Sequence, residues 1–447
     1  MGLRPRLRKP DEEAGLSPLR LPYGGSYHEL LWSGQPFERL LPARPTTLDS
    51  GDAGDDARGG LDVLRQALAA PIGTPPLHEL ARGRRSAAVL IPGKARRVGT
   101  AEYVPLLLEE LARAGIPDDA IEIFLADGTH DQHLESDVVD LLGAEVLDRV
   151  RCVGHDCHDR GQLVQLGTTS RGTPVWINRR VHTAEVVVLT GRIVPHYFAG
   201  FAGGCKAMIP GVAGFDTILA NHRLTLDAAG ELVPGAAPCA LDDNPVHLDL
   251  VEAARLAAPD FCLNTLLDTG HRIVAAVAGD PEEAHDAGVR IACETLRVRL
   301  EKPVDAAIVS AGGLPYDCNF MQALKAPFNT RAIVRSGGAI LWVAECAGGM
   351  HPGFLEWARI GSDAALRRAV VRDYTLTGHN SIMLRELLEQ HRVALYSALP
   401  GESVRALGIH PVSDLAEGLD WLHRVARADF RTAVVPHANV MSAEVAR

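Results

Sequence analysis

The sequence predicts an α/β protein: two α/β units built on mainly parallel sheets, with the active site in the cleft between them. Three observations carry this expectation. Short, wholly apolar runs of strand length recur along the chain, as strands buried on both faces require. Amphipathic helical stretches separate them, the alternation that builds β-α-β units. Glycine (43) and proline (28) punctuate the joins between them.

Taken in order, residues 1–20 open with the basic MGLRPRLRKP, lack the apolar core of a signal peptide, and read as a disordered tail. Asp49 to Gly60, rich in Gly and Asp, reads as a surface loop. Ala87–Ile91 (AAVLI) is the first buried strand. A helix over Ala101–Ala114 follows, with Thr100 as its N-cap and Gly115 and Pro117 ending it. Ala120–Leu125 and Ala184–Leu189 are the next strands, and Ala306–Val309, Ala339–Val343 and Val393–Tyr396 supply the later ones. A charged stretch, ETLRVRLEK, gives way to VDAAIVS near Glu301–Pro303, which places a boundary there. The chain therefore divides into a large unit over 21–300 and a smaller one over 303–398, with 400–447 free to rejoin the first or to extend the second.

A hydrophobic content of 47% with 23% charged residues belongs to a globular protein with a large core. The net charge of −11 argues against nucleic acid or an anionic membrane as partner. No apolar run approaches the ~18–20 residues that would cross a bilayer. Eight cysteines without framework spacing fit free thiols in a reducing cytoplasm.

Ligands of open α/β sheets bind outside the carboxyl ends of the strands. That rule selects Gly93-Lys94-Ala95-Arg96-Arg97, Asp127-Gly128-Thr129-His130, Gly191 to His196, and Gly312 to Asp317. The densest signal is His196 to His222, with five glycines between Gly200 and Gly214 and Lys206 just behind Gly203-Gly204. Such glycines permit positive φ and close backbone approach to a ligand. The spacing departs from a phosphate-binding loop, because Cys205 precedes the lysine and Ala207 follows it. A lysine there suits a covalent anchor once burial suppresses its charge. Cys152, His155, Cys157 and His158 have a spacing that superficially suggests zinc but read as loop residues.

These residues carry a resemblance. Pro195-His196, Ala199-Gly200-Phe201-Ala202-Gly203-Gly204, Lys206, Pro210-Gly211 and Asn221-His222 are similar to the hallmark of the nickel-pincer lactate racemase family. Gly128-Thr129-His130, Asp317-Cys318-Asn319, Gln322 to Lys325 and the early Leu21 to Gly24 fit the same pattern. The resemblance implies a racemase or epimerase of 2-hydroxyacids. It also implies nickel and a pyridinium-3,5-dithiocarboxylic acid mononucleotide (the nickel-pincer nucleotide) tethered to Lys206, with Gly203, Gly204 and Arg96 binding the cofactor. Nickel would be held by two sulfurs, a ring carbon and His222, donors suited to square-planar Ni(II). His130 and His196 would accept the hydroxyl proton of the two substrate enantiomers, while the C2 hydrogen leaves as hydride and a planar 2-keto acid forms. Arg96, Gln322, Lys325, Met321 and His379 would contact the substrate. A helix starting at Asp317 would put Gln322 and Lys325 on one face. Cofactor-synthesis enzymes would be transient partners.

The chain also departs from the lactate-type pattern. Gly93 stands where an acid is usual, Arg97 where a proline is, Met321 where a tyrosine is, and His379 where a tryptophan is. These changes point to a larger or more polar hydroxyacid than lactate, such as a dicarboxylate or sugar acid. Two further readings are a non-catalytic carrier or sensor of the nucleotide, kept open by Gly93, and a zinc hydrolase using His130, His196 and His222.

Overall fold

The structure, a computed structural model, describes residues 19–30, 37–43, 58–94, 96, 98–130, 135–426 and 430–446. Most of the expected tail (1–18), most of the expected loop (49–57) and Arg97 lie outside the described residues. Leu19–Tyr23 forms a strand paired antiparallel with Ser26–Leu30, so the last two residues of the expected tail are structured. The helix Arg58–Ala69 likewise claims the end of the expected loop.

The first sheet has six strands in the order Ile273–Gly279, Phe261–Leu267, Val186–Arg192, Ala87–Ile91, Ile121–Leu125 and Arg151–Val153. All neighbours are parallel except Phe261–Leu267 with Ile273–Gly279. Every residue of Ala87–Ile91, Val186–Arg192 and Phe261–Leu267 is buried, as expected for strands covered by helices on both faces. The polar exceptions to their apolar character are Thr190, Arg192, Asn264 and Thr265.

The second sheet also has six strands, all parallel, in the order His410–Val412, Arg392–Tyr396, Val334–Val343, Val304–Ser310, Thr432–Val435 and Phe37–Arg39. Both ends of the chain thus enter it. Strands after Pro400 extend the second sheet, and Ser442–Val445 pairs with Arg297–Leu300 from the far end of the first unit. No single cut in the sequence separates the two units, because Phe37–Arg39 crosses the boundary as an edge strand.

Two local expectations are corrected. The helix after the first strand runs Thr100–Arg113 with Gly99, at φ 81°, as its N-cap; Thr100 is buried, its hydroxyl 3.4 Å from that of Tyr103. The helix near Asp317 begins at Phe320, where the Asn319 side chain accepts the Gln322 N–H. Asp317 instead accepts the Gly24 and Glu345 N–H groups at 2.7 and 3.1 Å, and so serves the packing of the Leu19–Leu30 hairpin.

Candidate active site

The strand order of the first sheet reverses between Ala87–Ile91 and Val186–Arg192: the chain builds outward to Arg151–Val153, then restarts on the other side. The crevice beyond the carboxyl ends of that pair is where a ligand fits best in such sheets. Arg96 follows one strand and His196 the other. Pro195–His196 pairs with Gly200–Phe201 in a tight hairpin whose tip, Tyr197, Phe198 and Ala199, packs into the core of the second unit with Phe320, Phe328 and Trp342. The Tyr197 and Phe328 rings stack at 5.6 Å. Burial of this aromatic tip, at roughly 1.5–3 kcal/mol per large side chain, carries His196 into the interdomain cleft.

Lys206 sits on the short turn Gly204–Ala207. Gly203 and Gly204 have φ of 88° and 53°, and a Cβ on Gly204 would lie 2.8 Å from the His285 ring. The Gly204 N–H donates to Asn264 Oδ1 at 2.9 Å, so a polar side chain inside a largely apolar strand pins the turn. The chain then returns at Gly211, whose N–H donates to the Lys206 carbonyl and whose own carbonyl accepts the Gly128 N–H at 2.9 Å. This places the Gly128–His130 loop against the lysine turn. A Cβ on Gly211 would stand 2.0 Å from the Ala207 carbonyl oxygen, a backbone atom that cannot yield. Gly211→Ala is therefore expected to destabilise the fold by about 3 kcal/mol or more, read as the shift in a urea unfolding curve.

His222 lies on the helix Phe215–Arg223. The adjacent Asn221 donates to Val246 O and Asp249 Oδ2, both at 3.0 Å. Asp249, fully buried, also accepts the hydroxyls of Thr169 and Thr173 at 2.6 and 2.8 Å, so this network fixes the helix and with it the histidine.

Arg96, His196, Lys206, His222 and Lys325 are half-buried. Burial, and then the charges of Arg96 and Lys325, push the Lys206 amine down to about 7. Lys325 is likewise lowered to about 7 by burial and Arg96, and its Nζ donates to Gln322 Oε1 at 2.5 Å. Burial holds His196 well below the usual imidazole value, reinforced by Lys206, Lys325, Arg96 and His222. His222 is lowered by burial, Lys206 and His379. Arg96 is lowered by burial, with Asp127 opposing. Three cationic side chains and two neutral imidazoles thus share one recess, an arrangement that calls for an anionic ligand.

The cation-rich recess carries a stability cost with a definite sign. In the unfolded chain both lysines stay protonated up to about 10.5, whereas in the fold they release their protons above about 7. The unfolded state therefore binds more protons between these values, and stability rises with pH across that window. Cofactor-free protein is expected to melt higher at pH 9 than at pH 7. Lys325→Met should reduce that difference and add about 1–3 kcal/mol at pH 7, measured by chemical unfolding at the two pH values.

Phe198 is the aromatic hub of the recess. Its ring centroid lies 4.6 Å from that of His196, 5.1 Å from His222 and 5.3 Å from His379, and Lys206 Nζ is 5.8 Å from it. His379, on the first turn of the helix Leu376–Gln390, is fully buried, and burial lowers it to about 3. Met321 Sδ faces the neighbouring Asn380 Nδ2 at 3.3 Å.

The fold thus brings together Arg96, His196, Gly203, Gly204, Lys206, His222, Met321, Gln322, Lys325 and His379. His130 differs: it is exposed, on the loop that Gly128 ties to Gly211. The zinc reading fails on geometry, since among the described residues no three His, Cys, Asp or Glu side chains are arranged to hold a metal ion. His155 instead bonds the Ala213 carbonyl at 2.9 Å and Asn178, a core role. Phe198, Asn264, Asp249 and Tyr374 were not singled out from the sequence. Only Asn264 left a signal there, as a polar residue within FCLNTLL. Among the described residues no helix is long and apolar enough to cross a membrane.

Residues 55–232 match the lactate racemase N-terminal domain and residues 300–441 the lactate racemase C-terminal domain. The chain is 32% identical to the lactate racemase of Thermoanaerobacterium thermosaccharolyticum over 386 residues, covering 84% of this chain and 88% of that one. It is 34% identical to the lactate racemase of Lactiplantibacillus plantarum over 288 residues, 63% of this chain and 65% of that one. The structure of the T. thermosaccharolyticum lactate racemase apoprotein superimposes with a TM-score of 0.83 at 28% identity, covering 96% of this chain and all of that one. A Thermotoga maritima protein shares the fold with a TM-score of 0.65 at 16% identity, covering 91% of this chain and all of that one. With matching domains at both ends, substantial sequence identity and a shared fold, the chain belongs to the lactate racemase family and is an isomerase of the racemase type.

Proposed function

We propose that this protein inverts C2 of a 2-hydroxyacid with a nickel-pincer nucleotide bound covalently at Lys206. The observation that carries the reading is the placement of Lys206, its amine over the Phe198 ring that also faces His196 and His222, where burial, Arg96 and Lys325 lower it to about 7. An amine neutral in a large fraction of molecules is a competent nucleophile for an acyl-type linkage.

The residues present fit the group. Arg96 and Lys325 suit its phosphate or the substrate carboxylate. The positive-φ pair Gly203-Gly204 lets backbone approach it closely. His222, its ring 5.1 Å from that of Phe198, offers a neutral imidazole nitrogen, a donor that suits Ni(II). When bound, the group supplies an electron-poor ring that accepts the C2 hydrogen together with its electron pair.

The protein's own part is proton handling and orientation. His196 Nδ1 accepts the Ala199 N–H at 3.3 Å, which places the proton of the neutral ring on Nε2. The ring therefore first meets the C2 oxygen as a hydrogen-bond donor. To take up the hydroxyl proton it shifts its own proton to Nδ1 and gives up the Ala199 contact, a long bond whose loss costs under about 1 kcal/mol. His130, on the exposed loop beside the lysine turn, is the second proton carrier, for the opposite enantiomer. Arg96 and Lys325 hold the carboxylate, and Gln322 keeps Lys325 in place.

The test is intact-mass analysis of protein produced together with cofactor-synthesis enzymes, followed by racemisation assays on a panel of 2-hydroxyacids. A nickel-containing adduct with turnover of at least one acid is expected. An unmodified, inactive protein under conditions that load the T. thermosaccharolyticum enzyme would overturn the reading, and an adduct without turnover would favour a carrier.

A further inference from the structure

One polar atom of the recess has no work in the reaction above. His379 Nε2 is buried and makes no hydrogen bond, although the residue is 99% buried and its ring lies edge-on to Phe198 and 6.4 Å from the His222 ring. A buried N–H or ring nitrogen left unpaired costs about 1–3 kcal/mol, so it marks a place where a ligand atom belongs. The other ring nitrogen is occupied: His379 Nδ1 lies 2.8 Å from the hydroxyl of Tyr374. That hydroxyl needs an acceptor for its proton, and Nδ1 is the acceptor that the described contacts provide. The tyrosine therefore donates to Nδ1, which leaves a neutral ring with its proton on Nε2, a fixed and unpaired donor. Tyr374 itself is held against Arg223, one residue beyond His222, whose guanidinium carbon is 6.0 Å from the tyrosine ring.

We propose that the Tyr374–His379 pair is a specificity device: His379 Nε2–H donates to a hydroxyl oxygen that the substrate carries beyond C2, so the pocket selects a polyhydroxylated 2-hydroxyacid. The proposal rests on the racemase reading given above. A methyl group at this position, as in lactate, leaves the donor unpaired. A second carboxylate would call for a cation, and a single neutral N–H is a poor substitute for one. The cations nearby are already used, with Lys206 as anchor and Arg96 and Lys325 on the first carboxylate or the cofactor phosphate. His379 is a binding residue in this scheme and Tyr374 a positioning residue that sets its tautomer.

Glycerate, lactate and malate test this directly, since glycerate is lactate with one hydrogen of its methyl group replaced by a hydroxyl. With cofactor-loaded protein, kcat/KM for glycerate should exceed that for lactate and malate by about tenfold or more. The dissociation constants of the racemic acids, measured by ligand-observed NMR, should show the same order independently of turnover. His379→Phe should reduce the glycerate-to-lactate ratio to within about twofold, and His379→Gln, which keeps an N–H, should restore most of it. Tyr374→Phe should raise KM for glycerate more than it lowers kcat and should move the His379 ring nitrogens toward a mixed-tautomer signature in 15N spectra. Equal handling of glycerate and lactate, a preference for malate, or a ratio unmoved by His379→Phe would each overturn the proposal. Glycerate bound selectively but not racemised would sustain the pocket assignment while removing the racemase reading, so the two fail separately.

Discussion

Lys206→Ala is expected to abolish the covalent adduct in intact-mass spectra and to lower hydroxyacid turnover by a factor of at least about 10³. The physical basis is the environment of the amine. Lysine at the end of a flexible surface chain is protonated at neutral pH and unreactive. Here burial and the neighbouring Arg96 and Lys325 bring it to about 7, at the end of a turn whose glycines and Asn264 contact fix its direction. Lys206→Arg keeps the charge, yet a guanidinium cannot make the same linkage and should be as inactive as the alanine variant. An adduct surviving on Lys206→Ala protein, or turnover within about tenfold of wild type, would show that the anchor lies elsewhere.

His196→Gln is expected to lower kcat by roughly 10²–10⁴ with KM changed by no more than about threefold. Glutamine keeps an N–H donor for the substrate oxygen and so retains binding, but it cannot accept the hydroxyl proton. The accompanying pH profile is equally diagnostic. Burial, with Lys325 and Arg96, keeps the imidazole below its ordinary value even once the linkage has removed the charge of Lys206, so it stays neutral down to that lower pH. Protonation of His196 should therefore leave kcat/KM level between pH 6 and 8, with its acid limb appearing only below that range. An acid limb centred near 6.5 that His196→Gln removes would mean the ring is more solvated than the recess allows. A variant as fast as wild type would transfer the proton role to another group.

Much of the fold was legible in the chain. Ala87–Ile91 is a strand over the expected residues, because an apolar run of that length between turn formers has few alternatives. Val186–Arg192 begins two residues later than expected and runs three further, and Val304–Ser310 extends past both expected ends, since neighbouring strands extend a ladder wherever backbone partners continue. The start of the helix at Phe320 was misplaced because the Asn319 cap competes locally with Asp317, and only the distant Gly24 and Glu345 N–H groups decide that Asp317 faces away.

By itself the sequence determined the alternating α/β architecture, the glycine turn that presents Lys206 and the charged side chains gathered in the recess, though not its aromatic hub Phe198. Hydrophobic period, positive-φ glycines and motif spacing act over short stretches of chain and can be read there. Tertiary structure alone decided that Phe37–Arg39 joins the second sheet, that Tyr197–Ala199 plugs one unit into the other, and that His130 stays exposed while His196 does not. It also set the depressed amine of Lys206. Desolvation and charge–charge interaction depend on distance through space, and Arg96 and Lys325, which depress that amine, each lie more than a hundred residues from it in the chain.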